Sequence, residues 1–231
     1  MTTNNQPVMA KPVRIPVDGC FLPGDLSVPL HARGIIVFAH GSGSSRHSAR
    51  NRHVARYLEQ EGFATLLIDL LTSGEEEIDA RTHHFRFDIP LLSQRLVGII
   101  DWLATQPEVA ALPIGLFGAS TGGGAALSAA AARPKRVAAV VSRGGRPDMA
   151  GRALPHVLVP TLLIVGGEDA AVMEFNREAM ARMRGPVSLE VVPGATHLFE
   201  EPGALETVAA LAARWFQEHA AARRSEASTA V

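Results

Sequence analysis

Ser120 sits at the centre of Gly118-Ala119-Ser120-Thr121-Gly122, between the apolar run 114–118 and an Ala-rich helical stretch over 122–133. A serine on a sharp strand-to-helix turn presents its hydroxyl at the positive end of a helix. Glycines two residues before and two after leave room for the strained backbone. A serine hydroxyl is a poor nucleophile at neutral pH and needs a base. Of the nine histidines, His197 is the first choice. It lies in Pro193-Gly194-Ala195-Thr196-His197, in a loop expected between the last strand and the last helix, on the edge where the serine turn opens. His31, His53 and His219 fall in a turn or on helix faces, and His156 lies in a loop with no evident partner. The base needs an orienting acid. Asp169, in Gly166-Gly167-Glu168-Asp169, follows the run 161–165 on the same edge, with Glu168 as the near alternative.

Acyl transfer also needs donors for a tetrahedral oxyanion. The N–H of Thr121 is the obvious first. The second is expected from the loop His40-Gly41-Ser42-Gly43-Ser44-Ser45, at the N–H of Ser42. A phosphate cradle is the rival reading of that loop, and the lysine of a Walker loop is missing. His40 is then a brace for the loop. Two further loops on this edge are rich in charge: 75–86, and Ser142-Arg143-Gly144-Gly145-Arg146-Pro147-Asp148. Arg143, with Arg146, could hold a substrate carboxylate or phosphate; the competing reading is solvated charges that pair with one another. The cluster Arg46, Arg50, Arg52 reads equally as rim or surface. The one candidate metal pair, His83-His84, points to opposite faces on a strand and has no ligand helix, so no metal and no cofactor is expected.

The elements that must position these residues follow from hydrophobic patterning. Short apolar runs alternate with helical stretches, which predicts an α/β fold: a mostly parallel sheet with helices on both faces. Residues 11–17 and a segment around 26–30, broken by Asp18-Gly19 and Pro23-Gly24, predict an antiparallel hairpin at the sheet edge. The run 34–40 reads as a strand buried on both faces. Helices are expected over about 48–61, 89–106, 122–133, 172–183 and 202–222, and strands over 63–69, 114–118, 137–142, 161–165 and 187–192. Residues 70–87 read as a polar stretch without an element. Only 143–160 separate two strands where a cap could enter, so no large cap is expected. One domain over 11–222 with flexible tails, 1–10 and 223–231, is the simplest division.

Composition excludes several classes. The 231 residues are 47% hydrophobic with a net charge of −1, which offers no electrostatic footprint for nucleic acid. The lone cysteine, Cys20, rules out an internal disulfide. No window reaches the roughly 18 apolar residues of a membrane span, and the first residues lack a secretory signal. A cytoplasmic protein without a membrane partner is expected; a homodimer stays open.

The HG-x-G loop at His40, the G-x-S-x-G elbow at Ser120, the G-x-x-D at Asp169 and the G-x-x-H at His197 resemble the α/β-hydrolase superfamily in order and context over roughly residues 11–222. Length, hairpin and missing cap are most similar to its dienelactone hydrolase branch. That branch carries cysteine at the elbow, where this chain has Ser120. The resemblance therefore implies a serine carboxylesterase that cleaves carboxylic ester, lactone or thioester bonds of a small substrate through an acyl-enzyme. An acyltransferase or perhydrolase on the same scaffold is the alternative, followed by a non-catalytic binding module.

Overall fold

Eight strands join in one sheet in the computed structural model, which describes residues 9–229, with side chains described as far as His219. The strands are β1 (Lys11–Val17), β2 (Cys20–Ser27), β3 (Ile35–Ala39), β4 (Ala64–Ile68), β5 (Ile114–Ala119), β6 (Val137–Arg143), β7 (Thr161–Gly166) and β8 (Val187–Val192). Their order is β1-β2-β4-β3-β5-β6-β7-β8, with β1 and β2 antiparallel and β3 to β8 parallel. The helices are α1 (Ala49–Gln60), α2 (Ser73–Thr82), α3 (Ile89–Leu103), α4 (Thr121–Ala132), α5 (Ala170–Arg182) and α6 (Ala204–Thr229).

The period of two along each strand sorts side chains onto two faces. In β3, Ile35, Val37 and Ala39 join the core under α3 and α4, with Leu96, Ile99 and Ala126. Ile36 and Phe38 point the other way, toward Val54 and Leu58 of α1 and Val208 and Phe216 of α6. Both faces are thus covered, which explains why the central strands read as unbroken apolar runs.

The edge hairpin forms at Asp18-Gly19, both at positive φ (48° and 77°), as a two-residue turn whose twist suits the strands. Pro23-Gly24, expected to interrupt the chain, instead lies inside β2. The Pro23 carbonyl accepts from Asp69 N–H (3.0 Å), and the β4 ladder begins only at Gly24, so the missing proline N–H falls beyond the last paired residue.

The stretch 70–87 is not without structure. It carries α2, started by a capping box in which Thr72 Oγ1 accepts from Glu75 N–H and Glu75 accepts from Thr72 N–H, then a single 3-10 turn, Phe85–Phe87. Asp88 caps α3 as the sequence suggests, accepting from Leu91 N–H (3.0 Å), with Pro90 in the first turn. Residues 143–160 hold two short 3-10 stretches within Pro147–His156, separated by a kink at Gly151 (φ 53°), and no inserted cap. Apart from exposed Met9 and Ala10, the tails expected over 1–10 and 223–231 fall outside the residues described with side chains, while the α6 backbone continues to Thr229. Among the described residues no helix is long and apolar enough to cross a membrane.

Candidate active site

β5 delivers Ser120 to the carboxyl edge of the sheet, and α4 starts at the next residue. Between them Ser120 adopts φ 50°, ψ −123°, a conformation that costs of order 1–3 kcal/mol for a residue with a side chain. Neighbouring backbone holds it there. The Ser120 carbonyl accepts from Gly123 N–H and Arg146 N–H (both 2.9 Å), and its N–H donates to the Arg143 carbonyl (3.3 Å). The flanking glycines are required by space. A Cβ on Gly118 would stand 2.5 Å from the Gly122 carbonyl oxygen, and one on Gly122 would stand 2.2 Å from the Ala39 carbonyl oxygen. The elbow can turn this tightly only where bare backbone meets bare backbone.

His197 and Asp169 come from the loops after β8 and β7, and the structure brings them into contact: Nδ1 of His197 lies 2.7 Å from Oδ2 of Asp169. That contact leaves Nε2 as the ring nitrogen free to accept a proton. Asp169 is mostly buried, whereas Glu168 is exposed and makes no side-chain hydrogen bond among the described residues. The His197 loop is itself braced, since Glu201 accepts from both N–H and Oγ1 of Thr196 (3.0 and 2.6 Å). Ser120 and His197 line one cleft of about 210 Å³, with Ser42, Arg50, Asn51 and Arg143. No hydrogen bond joins Ser120 Oγ to His197, whose ring pairs with Asp169; such bonds commonly tighten only around a substrate.

The loop after β3 closes over the elbow. Gly41 passes so near that a Cβ there would lie 3.0 Å from Ser120 Cβ. Ser44 N–H donates to the Gly41 carbonyl (3.2 Å), with Gly43 at φ 68°, so the loop turns tightly at Ser42. The backbone N–H groups of Ser42 and Thr121 donate to no described backbone acceptor outside regular elements. His40 anchors the loop from beneath. One ring nitrogen, Nδ1, lies 2.9 Å from the Gly41 carbonyl oxygen, and Nε2 accepts from Leu70 N–H (3.1 Å), an arrangement that requires the neutral ring with its proton on Nδ1. Burial pushes the His40 pKa below its ordinary value, partly opposed by the bond to Gly41.

On the other side of this loop lies a larger cavity of about 490 Å³, floored by Leu70, Leu71 and Leu92 and edged by His47, Glu76 and Arg86. Arg86 is locked in place, its Nε donating to Asp79 Oδ2 (2.6 Å) while Asp79 Oδ1 accepts from the N–H groups of Phe85 and Arg86. Ser42 borders both compartments, and Thr121, the neighbour of Ser120, borders the larger one, so the two meet at the elbow.

Of the two arginines expected to face a substrate, only Arg143 lines the cleft. Arg146 points elsewhere. Its Nε and Nη2 pair with Asp148 (2.9 and 2.7 Å), and its guanidinium stacks on Phe175, 4.4 Å from the ring centroid. Two residues along from a carboxylate, it satisfies itself locally. Arg50 is the cleft residue that sequence reading left as rim or surface; the available signal was Ser48, whose side chain caps α1 and so fixes Arg50 in the first turn beside the loop. Arg46 and Arg52 of the same cluster bind Asp69 and Asp25 instead. Among the described residues no three His, Cys, Asp or Glu side chains are grouped to hold a metal.

Comparison with known proteins identifies the fold and the family. Dienelactone hydrolase from Anabaena variabilis is 57% identical in sequence and superposes with a TM-score of 0.91, covering 93% of this chain and all of that one. Est1E from Butyrivibrio proteoclasticus, 18% identical with a TM-score of 0.75, covers 91% of this chain and 99% of its own and shares the fold. Two Mycobacterium tuberculosis proteins, named as candidate phosphoribosyl transferases, are 62% identical over 196 residues, 85% of this chain. The match spans only 43% of the length of those relatives. The pattern of the dienelactone hydrolase family runs through residues 22–227. With elbow, acid and histidine loops on one edge of an uncapped α/β-hydrolase sheet, this chain belongs to the dienelactone hydrolase family.

Proposed function

We propose that the protein is a serine hydrolase that cleaves carboxylic ester, lactone or thioester bonds of small substrates through an acyl-enzyme. The observation that carries this reading is Ser120 at positive φ in the elbow, on the wall of the cleft that also holds His197 paired with Asp169. Ser120 Oγ attacks the carbonyl while His197 Nε2 takes its proton. Asp169 accepts from Nδ1–H and stabilises the imidazolium that results. The N–H groups of Thr121 and Ser42 hold the oxyanion as charge develops on it. As the acyl carbon's bond to the leaving oxygen or sulfur breaks, His197 returns the proton to that leaving group; water, deprotonated by the same histidine, then displaces Ser120 Oγ from the acyl carbon and releases the acid. A cytoplasmic location goes with this reading.

Phosphoribosyl transfer, the activity in the name of the M. tuberculosis relatives, forms no part of this reading, since the match spans only 43% of their length. The expected outcome is that Ser120→Ala lowers kcat for p-nitrophenyl acetate by at least about a thousandfold, because the three side chains act as a unit. A variant that keeps the original rate rejects the assignment. Adding an alcohol or peroxide to compete with water measures whether acyl transfer accompanies hydrolysis.

A further inference from the structure

Arg143 ends β6 and lines the Ser120 cleft, and no carboxylate among the described residues meets it. The residue is 7% exposed, and its Nε and Nη1 are buried without a hydrogen-bond partner. Its described neighbour is the face of Phe199, 5.9 Å from the guanidinium carbon to the ring centroid. Burial, then the positive charge of Arg50, pull its pKa down to about 10, which leaves it charged at neutral pH. Arg50 lines the same cleft; Glu200 holds its Nη1 (2.8 Å), yet its Nε is also buried with no partner. The N-terminus of α1 opens beside them at Ser48, adding the positive end of a helix dipole.

The contrast with Arg95 is instructive. That side chain is as deeply buried and its Nε also lacks a partner, but its charge is met by both carboxylate oxygens of Glu75 (2.5 and 2.7 Å) and its Nη1 also donates to the Leu70 carbonyl (2.6 Å). An isolated buried charge is strongly unfavourable, so Arg143 is out of keeping with Arg95, the other buried arginine among the described residues. A ligand that brings the opposite charge removes the anomaly.

We propose that Arg143 and Arg50 form an anion seat beside Ser120, so that the substrate carries a carboxylate or phosphate group that enters the small cleft. Guanidinium N–H forks match the oxygens of either anion, and about 210 Å³ suits a short anionic arm rather than a long chain. The larger cavity across the oxyanion loop is left for the remainder of the molecule. The substrate role rests on the hydrolase reading, whereas anion binding can be measured without catalysis.

The test uses titration calorimetry of the full chain with inorganic phosphate and with succinate, in wild type, Ser120→Ala, Arg143→Gln, Arg50→Gln and Arg146→Gln. The seat predicts binding in wild type and Ser120→Ala alike, retained in Arg146→Gln, at least tenfold weaker in Arg143→Gln and weakened in Arg50→Gln. The tighter of the two ions identifies the anion. Thermal unfolding without ligand checks the fold: removing a buried unpaired charge leaves the Tm of Arg143→Gln at or above that of wild type. Substrate use is read from the ratio of kcat/KM on mono-p-nitrophenyl succinate to that on p-nitrophenyl butyrate, which falls at least tenfold in Arg143→Gln. Absence of anion binding, or equal binding in Arg143→Gln, overturns the seat even when Ser120 proves nucleophilic. Anion binding with an unchanged ester ratio overturns its substrate role. A dead Ser120 with intact anion binding sinks the hydrolase reading and leaves the seat standing.

Discussion

At the scale of single residues, the acid position separates two carboxylates that stand side by side in the chain. Asp169 is turned inward against Nδ1 of His197, while Glu168 is exposed and commits only its N–H, to the Ala195 carbonyl (3.0 Å). Asp169→Asn is therefore expected to lower kcat for p-nitrophenyl acetate by about a thousand- to ten-thousandfold, because an amide in that place favours the wrong imidazole tautomer. Glu168→Gln is expected to stay within about twofold of wild type. Steady-state kinetics on both variants measures the difference, and equal losses contradict the pairing. The motif residues were legible because each has a local backbone reason: glycines where backbone touches backbone, a histidine and an acid just past strand ends. Arg143 and Arg146 were not separable from sequence. Both are arginines beyond the expected strand end at 142, and only the position of Asp148 relative to the guanidinium decides which one is neutralised.

Among the elements, the central strands and long helices were readable since burial on two faces leaves continuous apolar runs with recognisable ends. The elements that escaped are those held by something other than an apolar stripe. Helix α2 buries only Asp79 and is held by its capping box, by Glu75 on Arg95 and by Asp79 on Arg86. Its sequence signal was Thr72 followed three residues later by Glu75, a pattern of caps rather than of hydrophobicity. Strand β2 escaped because proline and glycine normally end strands, and the tolerance here depends on where the β4 ladder begins. The elbow is the element on which the site depends, and its glycines carry a prediction. In Gly118→Ala the new Cβ meets the Gly122 carbonyl and Gly123 Cα at 2.5 Å, both backbone atoms of α4 that cannot yield without moving the helix. Loss of roughly 1–3 kcal/mol in urea unfolding is expected, together with a fall in esterase activity. Unchanged stability contradicts the packing described.

For the whole molecule, acid sensitivity follows from groups tied down around the site. Burial pushes the Glu75 carboxyl up, and the hydrogen bonds from Arg95 and Thr72 outweigh it and hold the pKa at about 2 against an ordinary 4.5. Burial likewise acts against Asp79, and its bonds from Arg86 and Phe85 bring the net shift below the usual value. For both carboxylates the folded state keeps the charge longer than the unfolded chain does. Their contribution is complete above the unfolded pKa and is lost as pH falls toward the folded one. His40 acts in the same direction from a higher starting point. Its folded pKa is depressed below 6.5, so stability begins to fall as the unfolded chain takes up a proton below that pH while the buried ring stays neutral. The urea midpoint is expected to fall from pH 7 to pH 5 and to drop further between pH 4.5 and 2. Glu75→Gln is expected to flatten the lower part of that curve and leave the upper part in place. A midpoint that is constant from pH 7 to 3 contradicts the assignment.

Catalysis at this site requires that the hydroxyl at the elbow be activated. Treating the full chain with a fluorophosphonate and locating the adduct by peptide mass spectrometry measures this without knowledge of the natural substrate. A single phosphonyl adduct on Ser120 is predicted in wild type, with labelling slowed at least about a hundredfold in His197→Ala. No adduct on the folded protein, or an adduct on another serine with Ser120 untouched, contradicts it.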